Sequence, residues 1–221
     1  MKKEVIKTKD GSTSLFISDW KEGYHSHHGA IQEANHVFIQ NGFNLILKEE
    51  VSILELGFGT GLNAFLTALE SEKAKKNIRY YTLEKFPLKI EEIKQMNFAE
   101  LIDSSKKTLF DQLHSSDWGK EVSINENFKL LKFKNDFFEI DSLFLPKIDL
   151  VYFDCFGARV QPELWEYSLL EKVSNCMNSG ALFTTYSAKG SLKRDLIQLG
   201  FDVEKPQGPK GKREMTIGWK K

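Results

Sequence analysis

The chain has 221 residues, with 31 Lys and Arg balanced by 31 Asp and Glu and with 41% hydrophobic residues. This is the composition of a folded globular protein and excludes a disordered chain. Because the net charge is zero, no strong overall field attracts a polyanion, so RNA binding would need a local basic patch. No window approaches the roughly 18 apolar residues of a membrane span, and no signal-peptide stretch follows the charged N-terminus. We therefore expect a cytoplasmic protein without a membrane partner.

The cysteines and histidines do not form a metal-binding or disulfide pattern. Cys155 and Cys176 have no CxxC spacing and no neighbouring His, which favours small core residues. His25, His27 and His28 cluster, but no Asp, Glu or Cys stands at ligand spacing around them. We expect these histidines to be solvated or locally hydrogen-bonded, and we expect no metal.

The first 50 residues predict an extension made of a hairpin and a helix. Two strand-like runs, residues 4–8 and 14–17, flank a turn signal at Asp10 and Gly11. Apolar residues then recur at helical spacing over residues 29–42. The helix predicted there leads into the main body of the chain.

The rest of the chain alternates strands and helices. The predicted strands are 51–56, 78–83, 128–133, 148–153, 181–186, 201–203 and 215–219, and the predicted helices are 62–71, a stretch after Pro87, 162–177 and 191–199. This alternation is typical of a parallel sheet, here ending in an antiparallel hairpin. The prediction is an α/β, Rossmann-like, seven-stranded, mostly parallel sheet. Without a repeat or a linker, we expect one domain over residues 1–221, with 1–50 as the extension and 51–221 as the core.

A glycine-rich turn joins the first core strand to its helix. Glu55, Gly57, Gly59 and Gly61 give the pattern E-x-G-x-G-x-G. A nicotinamide fingerprint would need its third glycine where the chain has Leu62, and the Lys-Ser/Thr ending of a P-loop is absent. The pattern is the form seen in class I methyltransferases that use S-adenosyl-L-methionine (SAM), so it favours SAM as cofactor. The alternative is a tight turn without a ligand.

Three acidic residues follow strands at the same predicted edge of the sheet. Glu84 is placed to accept hydrogen bonds from the ribose hydroxyls of a nucleoside cofactor. Asp136 is placed to accept a hydrogen bond from an adenine amino group, with Phe137 nearby to stack on the adenine. Asp154 ends the most apolar strand and would face the reactive end of the cofactor. The alternatives are an ordinary strand-end charge, a turn residue and a structural cap, respectively.

Several longer segments carry a family resemblance that covers nearly the whole chain. They are YHSHHGAIQEANHVF at 24–38, LELGFGTGLNAF at 54–65, LEKFPL at 83–88, YFDCFGARVQPELW at 152–165, YSAKGSLKRDLIQLGF at 186–201 and GKREM at 211–215. With these segments the chain resembles the methyltransferase half of the bacterial MnmC family and its stand-alone form, MnmD. It departs from the family at Gly157, Ala158 and Gln161, where the family usually has a proline after Asp-x-Phe and an asparagine before Pro-Glu-Leu-Trp.

The resemblance implies a class I SAM-dependent methyltransferase fold and a tRNA-modifying activity. The expected reaction is methylation of the primary amine of 5-aminomethyl-(2-thio)uridine at the wobble position, with the tRNA anticodon loop as partner. An FAD domain is not expected within 221 residues, so another enzyme would have to supply the amine.

The candidate catalytic residues are Asp154, which would orient the amine, and Phe156, which with Tyr186 would hold the extruded base. Tyr24 is assigned to the substrate site as well. Basic candidates for phosphate contacts are Lys189, Lys193, Arg194, Lys210, Lys212 and Arg213. The alternative for these six residues is a set of solvated charges.

Three other functions compete with this one. A methyltransferase acting on a small-molecule amine would share the sheet and the glycine turn. An aminopropyltransferase like spermidine synthase would be expected to have a second acid one or two residues after Asp154, where this chain has Cys155 and Phe156. A non-catalytic RNA-binding module is disfavoured by the intact glycine turn and strand-end acids.

Overall fold

The computed structural model describes residues 2–221, which form two β-sheets and the helices around them. The strands are β1 (Lys3–Lys7), β2 (Thr13–Ile17), β3 (Glu22–Gly23), β4 (Glu50–Leu56), β5 (Asn77–Leu83), β6 (Val122–Asn125), β7 (Phe128–Phe133), β8 (Ile148–Phe153), β9 (Met177–Thr185), β10 (Phe201–Glu204) and β11 (Thr216–Lys220). The α-helices are α1 (Ala30–Ala34), α2 (Leu62–Ala74), α3 (Ile90–Ile93), α4 (Phe98–Ile102), α5 (Lys107–Ser115), α6 (Tyr167–Cys176) and α7 (Gly190–Gln198).

The main sheet has eight strands in the order β10-β11-β9-β8-β4-β5-β7-β6. The five central strands are parallel, and the pairs β10–β11, β11–β9 and β6–β7 are antiparallel. The predicted α/β class and the hairpin at one edge are confirmed. The sheet has one strand more than the seven predicted. The additional strand is β6, whose four residues precede β7 by a short turn and pair with it.

The extension forms a separate three-stranded antiparallel sheet, β1-β2-β3, followed by α1. The predicted hairpin is confirmed. The predicted helix over 29–42 is α-helical only at Ala30–Ala34 and continues as a π-helix at Asn35–Gln40. The wider turn has a local cause, since the backbone N–H of Asn41 and its side-chain amide both donate to the carbonyl of His36, five residues earlier.

The helix predicted over 162–177 is interrupted near its start. A 3-10 turn covers Pro162–Trp165, Glu166 is extended, and α6 begins at Tyr167. The buried Trp165 explains the interruption, because its indole N–H donates to the carbonyl of Phe156 at 2.7 Å and ties the first turn to the loop after β8.

Apolar side chains cover both faces of the sheet. On one face the π-helix after α1, α2 and α5 contribute Val37, Phe65 and Phe110, respectively. On the other face α6 and α7 contribute residues such as Val173 and Leu192. This arrangement leaves the carboxyl edge of the parallel strands as the place where a ligand can enter.

The two cysteines differ in burial, and the described helices are unlike membrane spans. Cys155 is buried as predicted, whereas Cys176 is only half-buried because it lies at the end of α6. Within residues 2–221 the helices are too short or too polar to cross a membrane.

Candidate active site

Four parallel strands end side by side at one edge of the sheet. Leu56 pairs with both Leu83 and Phe153, and Leu83 pairs with Phe133. The residues that follow these strand ends therefore converge. A cavity of about 910 Å³ opens at this edge, and both the extension and the core contribute to its lining.

The glycine turn approaches the cavity with its backbone. Gly57 and Gly59 line the cavity and have φ values of 99° and 48°, which L side chains rarely adopt. A Cβ on Gly57 would lie 2.6 Å from the carbonyl oxygen of Asp154. Gly57 is therefore required both by its backbone conformation and by the lack of space for a Cβ. Without side chains at Gly57 and Gly59, the backbone of the turn is exposed to the cavity.

Gly61 serves a different purpose. It caps the start of α2 with a φ of 71°, and a Cβ there would lie 2.7 Å from the Nε2 atom of His114. It is not among the residues that line the cavity. The third glycine, predicted to bind cofactor, instead lets α2 begin close against α5.

Glu84 is held at the cavity by backbone groups. Its carboxylate accepts hydrogen bonds from the N–H of Gly59 at 3.1 Å and from the N–H of Phe86 at 2.8 Å. Burial raises the pKa of this carboxyl group above its ordinary value. Each oxygen keeps a lone pair, so the group is suited to accept the hydroxyl protons of a ribose.

Asp136 also lines the cavity, where its carboxylate is tied to two neighbours. It accepts a hydrogen bond from the ammonium group of Lys85 at 2.6 Å and from the N–H of Phe138 at 3.0 Å. The hydrogen bond from Lys85 lowers the pKa of Asp136, which is thereby kept ionised. Phe137 lies beside it in the cavity wall. We call Gly57, Gly59, Glu84 and Asp136 the glycine side of the cavity.

The placement of Glu55 differs from the prediction. Glu55 is fully buried and does not line the cavity. It lies within β4 between Thr82 of β5 and Tyr152 of β8, below the strand end, and accepts a hydrogen bond from the Thr82 hydroxyl at 2.8 Å. Its Oε1 atom has no hydrogen-bond partner, and burial raises the pKa of Glu55 to about 8. Glu55 is thus beneath the turn rather than facing a ligand.

Asp154 reaches the cavity from the end of β8, as predicted. Its Oδ2 atom accepts a hydrogen bond from the side-chain amide of Asn63 at 2.8 Å. Burial raises the pKa of Asp154 to about 7. Asn63 was missed from the sequence, although a polar residue in the first turn of an otherwise apolar helix was the available signal.

Aromatic rings stand next to Asp154. The ring of Phe156 lies edge-on to those of Trp20 and Tyr24, with centroids 5.4 Å and 5.0 Å apart. The hydroxyl of Tyr186 donates to the carbonyl of Cys155 at 2.7 Å, which fixes that ring beside the carboxylate. All of these residues line the cavity. Trp20 was not predicted, because nothing in its local sequence ties it to a strand end.

The predicted basic group is divided by the fold. Lys212 lines the cavity, where its ammonium lies 3.0 Å from the carboxylate of Glu33 and 3.9 Å from the ring centroid of Tyr186. Arg213 is outside the main cavity, with its side chain 90% exposed. Lys193 and Arg194 lie on the exposed face of α7 and do not reach the cavity. Tyr24, Asp154, Phe156, Tyr186 and Lys212 form what we call the aromatic side.

His25 forms local hydrogen bonds, as expected. Its Nδ1 atom lies 2.9 Å from the Ser14 hydroxyl, and its Nε2 atom lies 3.2 Å from the Thr60 hydroxyl. Burial lowers the pKa of His25 to about 4, so the ring is neutral near pH 7. Within the described residues 2–221, no group of three or more His, Cys, Asp or Glu side chains is arranged to hold a metal ion.

The C-terminal part of the chain is similar to a known family. Residues 131–221 match a family described as S-adenosyl-L-methionine-dependent methyltransferase. The features of the glycine side fit this cofactor, since the turn leaves backbone exposed to the cavity and the strand-end acids are placed to accept hydrogen bonds.

The curated relatives that this chain matches are larger proteins. One is the tRNA 5-methylaminomethyl-2-thiouridine biosynthesis bifunctional protein MnmC of Hydrogenovibrio crunogenus, 30% identical over 207 residues, which are 88% of this chain and 31% of the relative. The protein of the same name from Idiomarina loihiensis is 31% identical over 211 residues, 88% of this chain and 35% of the relative. The chain thus spans about one third of the length of these curated relatives.

A solved structure gives a match over the whole chain. MnmC2 from Aquifex aeolicus superimposes with a TM-score of 0.81 at 25% sequence identity, covering 100% of this chain and 70% of the matched chain. The resemblance to the MnmC methyltransferase domain that the sequence predicted is confirmed.

Proposed function

We propose that this protein transfers a methyl group from SAM to the primary amine of 5-aminomethyl-(2-thio)uridine at the wobble position of tRNA. The names of the relatives support this substrate, since they describe biosynthesis of the methylated nucleoside. The single observation that carries the proposal is the position of Asp154, a carboxylate that faces the cavity between the glycine turn and a set of aromatic rings.

The chemistry needs a neutral amine close to an activated methyl group. SAM, when bound, supplies a methyl group on a positively charged sulfur: the nitrogen lone pair forms the new N–C bond while the C–S bond breaks and its electrons stay on sulfur. The nitrogen must lie about 3 Å from the methyl carbon and in line with the breaking bond. The protein therefore has to hold two ligands in one orientation.

The glycine side is suited to hold the cofactor. Gly57 and Gly59 let backbone approach it without a Cβ in the way. Glu84 would accept hydrogen bonds from the ribose hydroxyls of the cofactor, and Asp136 would accept a hydrogen bond from the amino group of its adenine. Because both carboxylates are already tied to backbone N–H groups, they are oriented before the ligand arrives.

Asp154 is suited to handle the proton of the acceptor. An alkylamine is mostly protonated at neutral pH, by analogy with Lys at about 10.4, and cannot attack in that form. The carboxylate of Asp154, with a pKa of about 7, is placed to accept a hydrogen bond from the amine and to take up one of its protons. The hydrogen bond from Asn63 fixes the direction in which the free oxygen points. After methyl transfer, the secondary ammonium product carries the positive charge, and Asp154 returns to its carboxylate form by releasing to solvent the proton that it took up.

The aromatic side is suited to hold an extruded base. Phe156, Tyr24 and Tyr186 give the cavity apolar walls against which a pyrimidine ring can stack. A base in an anticodon loop leaves its stack more easily than a base in a duplex, because it has no pairing partner to lose. Arg213, Lys193 and Arg194, which lie outside the cavity, remain candidates for contacts to the tRNA phosphates.

The decisive experiment is incubation of the purified protein with methyl-labelled SAM and bulk tRNA from cells that lack this activity, followed by nucleoside analysis by mass spectrometry. We expect label in a methylaminomethyl-uridine. If the tRNA stays unlabelled although calorimetry shows SAM binding, the tRNA substrate is wrong, and a small-molecule amine becomes the acceptor to test. Absence of SAM binding would favour a non-catalytic RNA-binding module.

A further inference from the structure

The side chain of Lys212 points into the cavity wall, whereas a lysine that binds tRNA phosphates would point outwards. Lys212 belongs to the loop before β11, but its ammonium points inward, 3.0 Å from Glu33 and 3.9 Å from the ring centroid of Tyr186. The Glu33 side chain is 12% exposed and the Lys212 side chain 35%, so the ion pair is partly withdrawn from water. A cation placed in this way is shared between a carboxylate and an aromatic face and stays within the cavity wall.

Further contacts hold both the loop that carries Lys212 and the side chain of Glu33. The carbonyl of Gln207 lies 2.8 Å from the Nε2 atom of His36, which ties the loop to the helical segment after α1. Gly211 has a φ of 91°, and a Cβ there would overlap the ring of His28. Glu33 itself accepts a hydrogen bond from the backbone N–H of Ser26 at 3.1 Å. The position of the charge is therefore fixed by the fold.

The same part of the cavity contains the other charged groups that act on an acceptor. Asp154 stands at the end of β8, and Lys212 lowers the pKa of its carboxyl group while Glu33 raises it. Glu22 of β3, which also lines the cavity, is paired with Arg159 at 2.5 Å. His28 contributes a ring that lines the cavity beside Gly211.

We propose that Lys212, held against Tyr186 by Glu33, is a positioning residue that favours the neutral form of the acceptor amine. The inference rests on the proposed function, because it concerns an amine bound next to Asp154. A fixed positive charge disfavours a second cation nearby and favours the ionised form of a carboxylate. Lys212 therefore weakens the hold of the acceptor amine on its proton and keeps a larger fraction of Asp154 ionised. At a given pH, more of the enzyme then has a carboxylate available to take up the ammonium proton and leave the nitrogen lone pair free.

The test is the pH dependence of single-turnover methylation, with the same tRNA and saturating methyl-labelled SAM. Lys212→Met removes a positive charge, so groups nearby hold their protons more tightly, and the midpoint of the acid limb should rise by about one pH unit. Glu33→Gln removes a negative charge and should lower that midpoint. The double variant E33Q/K212M should return close to the wild-type midpoint, since the charges cancel.

Two controls separate this role from RNA binding and from simple packing. Lys210→Met removes an exposed charge two residues away in the same loop and should leave the pH midpoint in place. Lys212→Arg keeps the charge and should keep the midpoint within about 0.3 pH unit. If Lys212→Met folds poorly, Glu33→Gln still tests the direction of the shift, because Gln keeps the size and an acceptor for Ser26.

The outcomes are distinct. If the wild type labels its tRNA but Lys212→Met and Glu33→Gln leave the midpoint unmoved, or shift it in the same direction, the inference is wrong and the proposed function stands. A loss of tRNA affinity in Lys212→Met with an unmoved midpoint would likewise overturn it and restore the phosphate contact. A wild type that binds SAM but leaves tRNA unlabelled would overturn the proposed function, and the inference with it.

Discussion

The two sides of the cavity are built in different ways. The glycine side comes from the ends of adjacent parallel strands, and its carboxylates are oriented largely by backbone N–H groups. The aromatic side brings together four separate parts of the chain: the extension, the loop after β8, the residue after β9 and the loop before β11. Its two charged residues are held by other side chains, Asp154 by Asn63 and Lys212 by Glu33.

This difference separates cofactor binding from acceptor choice. Backbone groups at a strand edge recognise the same ligand in many sequences, because they depend on the fold. Side chains from distant segments can change without disturbing that edge. We therefore expect substitutions on the glycine side to affect SAM binding and substitutions on the aromatic side to affect transfer to the acceptor.

The largest effect is expected for Asp154→Asn. The amide cannot take a proton from the acceptor, so the single-turnover rate with tRNA should fall by about 10² to 10⁴ fold. SAM affinity measured by calorimetry should stay within a fewfold of the wild-type value, because the substitution keeps the side-chain size. Full turnover with unchanged SAM binding would show that Asp154 has no catalytic role, and a parallel loss of SAM binding would place it on the cofactor side.

Gly57→Ala should have the next largest effect and tests the other side. Alanine meets both an unfavourable φ and the carbonyl oxygen of Asp154, 2.6 Å from its Cβ. We expect SAM affinity to fall at least about tenfold and the free energy of unfolding to fall by about 1 to 3 kcal/mol. Calorimetry and denaturant unfolding give the two values.

Gly119→Ala is a matched control for this substitution. Gly119 has a φ of 77°, but nothing lies within 4 Å of its Cβ position, so alanine there meets only the conformational strain. Its SAM affinity should be unchanged. Equal losses of SAM affinity in the two variants would show that the close approach at Gly57 does not matter.

The sequence predicted the parts of the molecule that depend on local pattern. Strand and helix periodicity predicted the sheet and its edge hairpin, and the strand ends located Glu84, Asp136 and Asp154 at the cavity. These predictions succeed because parallel strands bring their carboxyl ends to one edge whatever the intervening chain does. The hairpin of the extension followed from a turn signal between two alternating runs.

The sequence could not predict contacts that the fold makes over long distances. Lys212 looked like a surface cation until the structure placed it 3.0 Å from Glu33, 179 positions earlier in the chain. Glu55 carried the family pattern, but only its neighbours Thr82 and Tyr152 show that it lies below the strand end. Likewise, β6 was too short for periodicity to predict.

A smaller effect on SAM affinity is expected for Glu55→Gln, which tests whether this residue supports the turn without contacting the cofactor. The pKa of Glu55 is about 8 in the folded protein, above the value of about 4.3 in an unfolded chain. The folded state therefore binds the extra proton between these values, and its stability falls as pH rises from about 5 to 8. Removing this group should make the variant gain up to about 3 kcal/mol relative to the wild type over that range, since each pH unit between the two pKa values contributes up to about 1.4 kcal/mol.

The measurement is denaturant unfolding of both proteins at pH 5 and pH 8. Comparing differences removes most of the contribution of Asp154, which is present in both proteins. SAM affinity at pH 7 should change less than for Gly57→Ala. A stability difference that does not depend on pH would contradict the raised pKa, and a tenfold loss of SAM affinity would place Glu55 among the cofactor contacts after all.

The smallest effect is expected for the double variant K193M/R194M, which removes two exposed charges from α7, outside both sides of the cavity. If these residues contact phosphates, tRNA affinity at moderate salt should fall about threefold, and the slope of log affinity against log salt should become shallower by about 1 to 2. SAM affinity and the single-turnover rate at saturating tRNA should be unchanged, because neither side of the cavity is altered. Fluorescence anisotropy with labelled tRNA over a salt series gives both values. An unchanged slope would show that the two residues are solvated surface charges, and Lys85, which lines the cavity next to the exposed ring of Phe86, would be the next phosphate contact to test.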